Sequence, residues 1–190
     1  PPTAQWFFTS ILDFRTQFYR GVDEEGNFIS DFMAPGFLTI GVGVSYDPSE
    51  QLSFSYKPIT GKYTYVNYDH LSDAGSFGVD PGSKSRTELG SFFRAKYKNE
   101  IFETKLELFT GYTESVGYVD VNWQNSLVLQ VTKAITTNVF TQLIYDEDIE
   151  IGVDDNSDGV IEESEIKDRV QFKSVIGVGL TYRFGVKPEE

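Results

Sequence analysis

The chain has 190 residues, 39% of them hydrophobic and 15% aromatic, a formal net charge of −13 and no cysteine. That length suits one domain. The missing cysteine excludes a disulfide scaffold and thiol chemistry, the acidic balance excludes nucleic acid as a partner unless the basic residues cluster, and no apolar run reaches the roughly 18 residues of a membrane-spanning helix.

The chain opens Pro1-Pro2-Thr3-Ala4-Gln5-Trp6, with neither a basic n-region nor an apolar h-region. This predicts a removed signal or a piece of a longer chain. Period-2 alternation then dominates, and eight strands are expected. The first covers residues 6–19, with Trp6, Phe8, Leu12, Phe14 and Phe18 on one face and Thr9, Asp13, Arg15 and Gln17 on the other. The second covers 37–46, where Leu38, Ile40, Val42 and Val44 alternate with Thr39, Gly41, Gly43 and Ser45. The third covers 52–66 and is expected to be bent or bulged near Pro58 and Gly61. The fourth (86–97) and fifth (101–112) alternate apolar residues with Glu88, Arg94 and Lys96, then with Glu103, Lys105 and Glu107. The sixth (118–132) sets Val121, Trp123, Leu127 and Leu129 against Asp120, Asn122, Gln124 and Ser126. The seventh covers 136–149. The eighth covers 170–184, with Phe172, Ile176, Val178 and Leu180 opposed to Lys173, Gly177, Gly179 and Arg183.

Connections after strands two, four and six are short, whereas those after one, three, five and seven are mostly longer. Short turns at one end and long loops at the other are the signature of a membrane barrel, whose apolar face meets lipid and whose polar face lines the interior. Periodicity alone does not separate this from a β-sandwich, whose apolar faces pack inward. Three features favour the barrel. The strands run to about 10–15 residues against a usual length of about 5–6. Aromatic residues gather at strand ends: Trp6, Phe8, Tyr46, Phe54, Tyr97, Phe102, Tyr182 and Phe184 at the short-turn end, and Phe18, Tyr112 and Phe172 at the other. Such rings suit the headgroup boundary. The polar faces mix both charge signs, so that Asp13, Glu88, Glu103, Glu107 and Asp120 can pair with Arg15, Arg94, Lys96, Lys105, Lys173 and Arg183 across an interior. The expected fold is therefore an all-β, antiparallel transmembrane β-barrel over residues 1–185, with a periplasmic tail at 186–190. Its last strand ends Leu180-Thr181-Tyr182-Arg183-Phe184. This aromatic terminus places the short turns in the periplasm and the long loops outside the cell.

One loop carries a sharp motif. Residues 146–168 hold 11 of the 29 acidic residues, and within them residues 154–165 match an EF-hand calcium loop. Asp154, Asn156 and Asp158 stand at positions 1, 3 and 5, and Gly159 at the sharp turn. Val160 offers its carbonyl at 7, Glu162 acts at 9 through water, and Glu165 binds bidentately at 12. Ca²⁺ takes six to eight hard oxygens, and this spacing wraps them round one point. The flanks read as strands rather than helices, so an isolated loop with affinity on the order of 10⁻⁴–10⁻³ M is expected. The plainer alternative is an acidic, solvated loop with Asp-Gly turn chemistry. His70, the single histidine, reads as a surface loop residue, since no nucleophile or orienting group accompanies it. No enzymatic activity is expected, because no catalytic triad is legible. Gly41, Gly43, Gly177 and Gly179 read as inner positions that relieve crowding or permit bending.

The segments Ile29-Ser30-Asp31-Phe32-Met33-Ala34-Pro35-Gly36, Pro58-Ile59-Thr60-Gly61-Lys62, Asp120-Val121-Asn122-Trp123 and Thr141-Gln142-Leu143-Ile144-Tyr145-Asp146 resemble an uncharacterised family of Bacteroidota outer-membrane proteins, a domain of unknown function. The likeness covers nearly the whole chain. It implies a fold rather than an activity. Members carry further β-rich sequence upstream, which implies that these eight strands are the C-terminal part of a barrel of about 12 strands. The expected role is a structural or accessory one in the bacterial outer membrane, with lipid and other outer-membrane proteins or lipoproteins as partners and a calcium-ordered external loop. A narrow porin-like channel for small solutes is the alternative, and a secreted calcium-binding β-sandwich adhesin is the non-membrane one.

Overall fold

Alternating apolar and polar side chains produce eight long strands and a set of smaller elements in the long loops. The computed structural model describes residues 4–22, 26–113, 117–147, 150–153, 156, 162, 164 and 166–181. In chain order the elements are β1 (Gln5–Thr16), β2 (Gly21–Val22), β3 (Phe28–Ser30), β4 (Gly36–Asp47), β5 (Leu52–Tyr65), α1 (Asp69–Asp73), a 3₁₀ turn at Ser76–Gly78, β6 (Ser85–Lys98), β7 (Phe102–Gly111), β8 (Asp120–Gln130), β9 (Ile135–Tyr145), β10 (Glu150–Gly152), β11 (Ile166–Asp168) and β12 (Gln171–Leu180).

The eight long strands form one antiparallel sheet in the order β1-β4-β5-β6-β7-β8-β9-β12. All eight expected strands are present, so the all-β antiparallel reading holds. The sheet is open, with β1 and β12 as its edges, and among the described residues no pairing joins them. The expected ends of the last strand, Tyr182 to Phe184, lie outside the described residues. The described parts of the long loops hold more secondary structure than the sequence suggests. They hold two small hairpins, β2–β3 and β10–β11, and the short helix α1, where only loop was expected.

Burial is inverted relative to a water-soluble sheet. Thr60, Lys57 and Glu88 are 0%, 3% and 4% exposed, whereas Phe8, Leu12 and Leu180 are 95%, 76% and 81% exposed. The sheet curls so that its polar face is concave. Lys62 on β5 meets Asp120 on β8 at 2.7 Å. In a flat sheet those strands would lie about 14 Å apart, with side chains that never converge. Aromatic rings line the short-turn end: Trp6 stacks on Tyr46 at 4.6 Å, and Tyr97 meets Phe102 at 6.5 Å.

A bulge in β5 sets the inner lining. Gly43 faces two residues, Lys57 and Pro58, because the β4–β5 register steps from Val42↔Ile59 to Val44↔Tyr56. On the other side the register steps from Lys57↔Phe92 to Thr60↔Gly90. Proline has no N–H for the ladder, so it belongs at such a break. The Pro58 carbonyl accepts the Tyr112 hydroxyl at 2.5 Å. The extra residue changes the alternation. Ser55 and Lys57 are buried before it, and Thr60 and Thr64 after it.

The largest cluster of buried apolar side chains lies outside the sheet. Ala34, Val66, Leu71 and Val79 pack together, with Phe28, Tyr68 and Phe77 against them. These residues come from the loops after β1 and β5, which form a joint cap at the long-loop end. Burying a valine- or leucine-sized side chain contributes about 1.5–3 kcal/mol, so this cluster gives the loops their own folding energy.

Candidate functional site

The concave face carries a series of ion pairs along its length. At its long-loop end Lys62 stands among three carboxylates, at 2.7 Å from Asp120, 3.6 Å from Glu88 and 3.7 Å from Asp146. Arg86 meets Glu88 at 3.4 Å. Midway along the strands, Glu107 is shared: Arg94 reaches it at 2.7 Å and Lys105 at 3.5 Å, while Asn122 donates its amide to the other carboxylate oxygen. Gln142 donates to the Asn122 carbonyl at 2.9 Å. At the short-turn end Glu103 takes Lys96 at 2.9 Å and Lys98 at 3.1 Å. Asp13 pairs with Arg15 on β1 at 2.8 Å.

Of the five acids expected to pair, Asp13, Glu103 and Glu107 meet expected bases (Arg15, Lys96, and Arg94 with Lys105), whereas Glu88 and Asp120 pair with Lys62 and Arg86 instead. Of the other expected bases, Lys173 is exposed on β12 and Arg183 lies outside the described residues. Lys57, Lys62, Arg86, Lys98 and Asp146 were not anticipated. Arg86 and Asp146 sit at strand ends, where alternation is weakest. The two lysines were hidden by the bulge, since no single even or odd phase along β5 places both on the inner face. The signal was Pro58 itself, which marks where the phase must change.

Two cavities lie in the trough. One of about 280 Å³ is lined from every long strand except β12 and includes Lys62, Asp120 and Asp146. A second of about 160 Å³ is lined by Asp13, Arg15, Arg94, Lys105 and Glu107, with Gln124 among the neutral side chains. Phe92 and Phe109, two buried rings, are among the residues that line the larger space.

The calcium-type loop is only partly described. Asp154, Asp158, Val160 and Glu165 lie outside the described residues, while Asn156 and Glu162 are exposed. The immediate flanks are the short strands β10 and β11, which pair with Gly152 opposite Ile166. This places Gly152 and Ile166, the residues on either side of 153–165, opposite one another. Tyr145 donates its hydroxyl to Asp168 at 2.5 Å and ties the hairpin to β9. Among the described residues no group of His, Asp or Glu is arranged to hold a metal ion.

His70 is exposed in α1, with its ring 4.8 Å from that of Phe28 and its Nε2 3.3 Å from the Phe28 carbonyl. It is a packing residue of the cap. Asp31 ties the same cap: it accepts from the Phe32 N–H at 2.7 Å, from Arg20 at 3.0 Å and from the Tyr68 hydroxyl at 3.2 Å. The Phe32 N–H, followed by the Arg20 guanidinium, holds the Asp31 carboxyl below its ordinary range. A depressed folded value means that the carboxylate favours the folded cap above the unfolded pKa of about 3.9, and that this contribution fades as pH falls through the folded value. The protection of the Ala34 and Asn67 amides, which bond within the cap, taken relative to the intrinsic exchange rate at each pH, should therefore fall below about pH 4. Asp31→Ala should exchange faster at neutral pH and lose that acid dependence. Equal acid sensitivity in wild type and variant would refute the assignment.

No family model, no curated protein and no solved structure matches this chain.

Proposed function

We propose that the chain forms the wall of a bacterial outer-membrane β-barrel, with a structural or accessory role beside other outer-membrane proteins or lipoproteins. The observation that carries this reading is the inverted burial of the long strands. Exposed rows of Leu12, Ile40, Ile59, Leu89 and Val178 would be costly in water, and the ion-paired face is concave. Hydrocarbon suits the first and requires that the second be enclosed. The open edges fit as well. An edge strand cannot leave its N–H and C=O groups unpaired in lipid, and β1 and β12, the ends of an eight-strand antiparallel series, run in opposite directions. They can pair with one another or accept further strands. In this reading the short turns are periplasmic, the capped loops face outward and the apolar band meets lipid.

The test is migration in detergent gels with and without boiling, together with membrane partition. A barrel should run compactly unboiled, shift on heating and resist extraction by carbonate. A chain that leaves the membrane with carbonate and shows no shift would sink the reading. A narrow channel is a second reading, supported by the cavity that nearly all long strands share. It requires stepwise current in planar bilayers, and absence of current excludes it.

The loop at 154–165 completes the proposal as a calcium-ordered external element, because the β10–β11 hairpin fixes both its ends. Calcium should protect the loop from protease, and Asp154→Ala with Glu165→Ala should abolish that protection. Protection that does not depend on calcium in the wild type would remove the metal from this account.

A further inference from the structure

Positive charge concentrates midway along the concave face of a chain whose net charge is −13. Lys57 is 3% exposed. Its ammonium donates to the Ser55 hydroxyl and lies 5.7 Å from the Phe92 ring centroid. Among the described residues no carboxylate forms an ion pair with it. The Arg94 guanidinium sits against the same ring at 5.1 Å. Arg94 and Lys105 share the single carboxylate of Glu107. One carboxylate therefore stands against three cations, and a cavity of about 160 Å³ opens beside Arg94 and Lys105. Arg15, also on that cavity, already has Asp13. The long-loop end of the trough has the opposite balance, with Lys62 among Glu88, Asp120 and Asp146.

A buried cation whose partners are one hydroxyl and a ring bears a desolvation cost that neither partner offsets. The bulge at Pro58 is what turns Lys57 inward while Thr60 and Thr64 keep their inner places, so the arrangement is built into the backbone. A small oxyanion in the neighbouring cavity would supply the missing negative charge. It would accept charge-assisted hydrogen bonds from Arg94 and Lys105 and lower the cost of burying Lys57. The amide of Gln124, on the same cavity, adds a neutral donor.

We propose that Lys57, Arg94 and Lys105 form an anion-binding belt inside the trough, for a small free oxyanion of the carboxylate or phosphate type. The proposal deepens the reading of an enclosed inner face and rests on it. The anion comes from solution rather than from a lipid headgroup, since the belt lies on the concave face, opposite the apolar one.

The full chain, folded in neutral sugar-headgroup detergent, is titrated with inorganic phosphate by calorimetry at fixed ionic strength, so that screening does not change. Wild type should show one saturable site. Lys57→Met should weaken it about tenfold or more, and Lys105→Met should weaken it less. Lys57→Arg should stay near wild type, and Lys133→Met, in a short turn outside the trough, should not differ from it. Phosphate should raise the unfolding midpoint of the wild type but not of Lys57→Met. Without phosphate, Lys57→Met should be no less stable than the wild type, because it removes an uncompensated buried charge. Absence of saturable binding by the wild type overturns the proposal. So does undiminished binding by Lys57→Met, or, if that variant does not fold, by Lys105→Met. The gel shift is read on the same samples. A shift without phosphate binding leaves the barrel and removes the site, whereas binding without a shift leaves the site and removes the barrel.

Discussion

Gly43→Val should stop the sheet from assembling. A Cβ at Gly43 would lie 2.1 Å from the Tyr56 carbonyl oxygen and 2.6 Å from the Lys57 Cα, both backbone atoms of the adjacent strand. Neither can move without undoing the bulge that pairs one residue of β4 with two of β5. Gly90 is in the same position on β6, where a Cβ would meet the Thr110 carbonyl at 2.1 Å. Overpacking a well-filled site costs about 1–3 kcal/mol when side chains can shift, and a backbone collision at a bulge exceeds that. The expected result for Gly43→Val and for Gly90→Val is loss of the heat-shifted gel species and of a cooperative unfolding transition. Gly177→Ala is the control. It is an inner position of β12, but no atom lies within 4 Å of the added carbon, so its unfolding midpoint should stay within about 0.5 kcal/mol of the wild type. A folded Gly43→Val protein with an unchanged midpoint would refute the bulge as a fixed element of the sheet.

Four inner glycines show what was legible in the sequence. Alternation identified Gly41, Gly43, Gly177 and Gly179 as one class, because period 2 reports only the face on which a residue sits. Crowding depends on the neighbouring strand. It is severe at Gly41 and Gly43, beside the bulge, and slight or absent at Gly179 and Gly177 near an open edge. The strands themselves were legible because each except β5 keeps one phase over many residues, and Pro58 was legible as a break in β5 because it lacks a donor. What the break does was not. Placing Lys57 and Lys62 on one face requires knowing that a single residue is skipped, and a proline does not specify that. The cap was hidden for a different reason. Phe28, Ala34, Val66, Leu71 and Val79 come from two loops far apart in sequence, with no common period. Their packing is tertiary, and no local pattern encodes it. The calcium-type motif is the reverse case, readable residue by residue because the side chains that would serve as ligands lie within one short stretch of sequence.

Lys62→Met should destabilise the protein by about 3 kcal/mol. Lys62 is the cation that Asp120, Glu88 and Asp146 share, and its side chain is only 16% exposed. Methionine keeps most of the side-chain length and its contact with apolar surface, so the loss is chiefly electrostatic. Removing one partner from a buried ion pair costs far more than the net worth of the pair, because the remaining charges stay desolvated. Here they are also of like sign and face one another across the trough. The check is guanidinium unfolding of the detergent-folded protein, read from the midpoint at unchanged slope. Asp120→Asn alone should cost less, since it removes one of three acids and leaves the lysine two partners. In the double variant, Asp120→Asn should recover part of what Lys62→Met loses, with a coupling energy of about 1–3 kcal/mol. Added salt should reduce that coupling only slightly, because screening acts weakly on buried pairs. A fully additive cycle, or a Lys62→Met midpoint equal to that of the wild type, would mean that β5 and β8 do not converge on this lysine. The curl of the sheet would then have to be held by the strands alone.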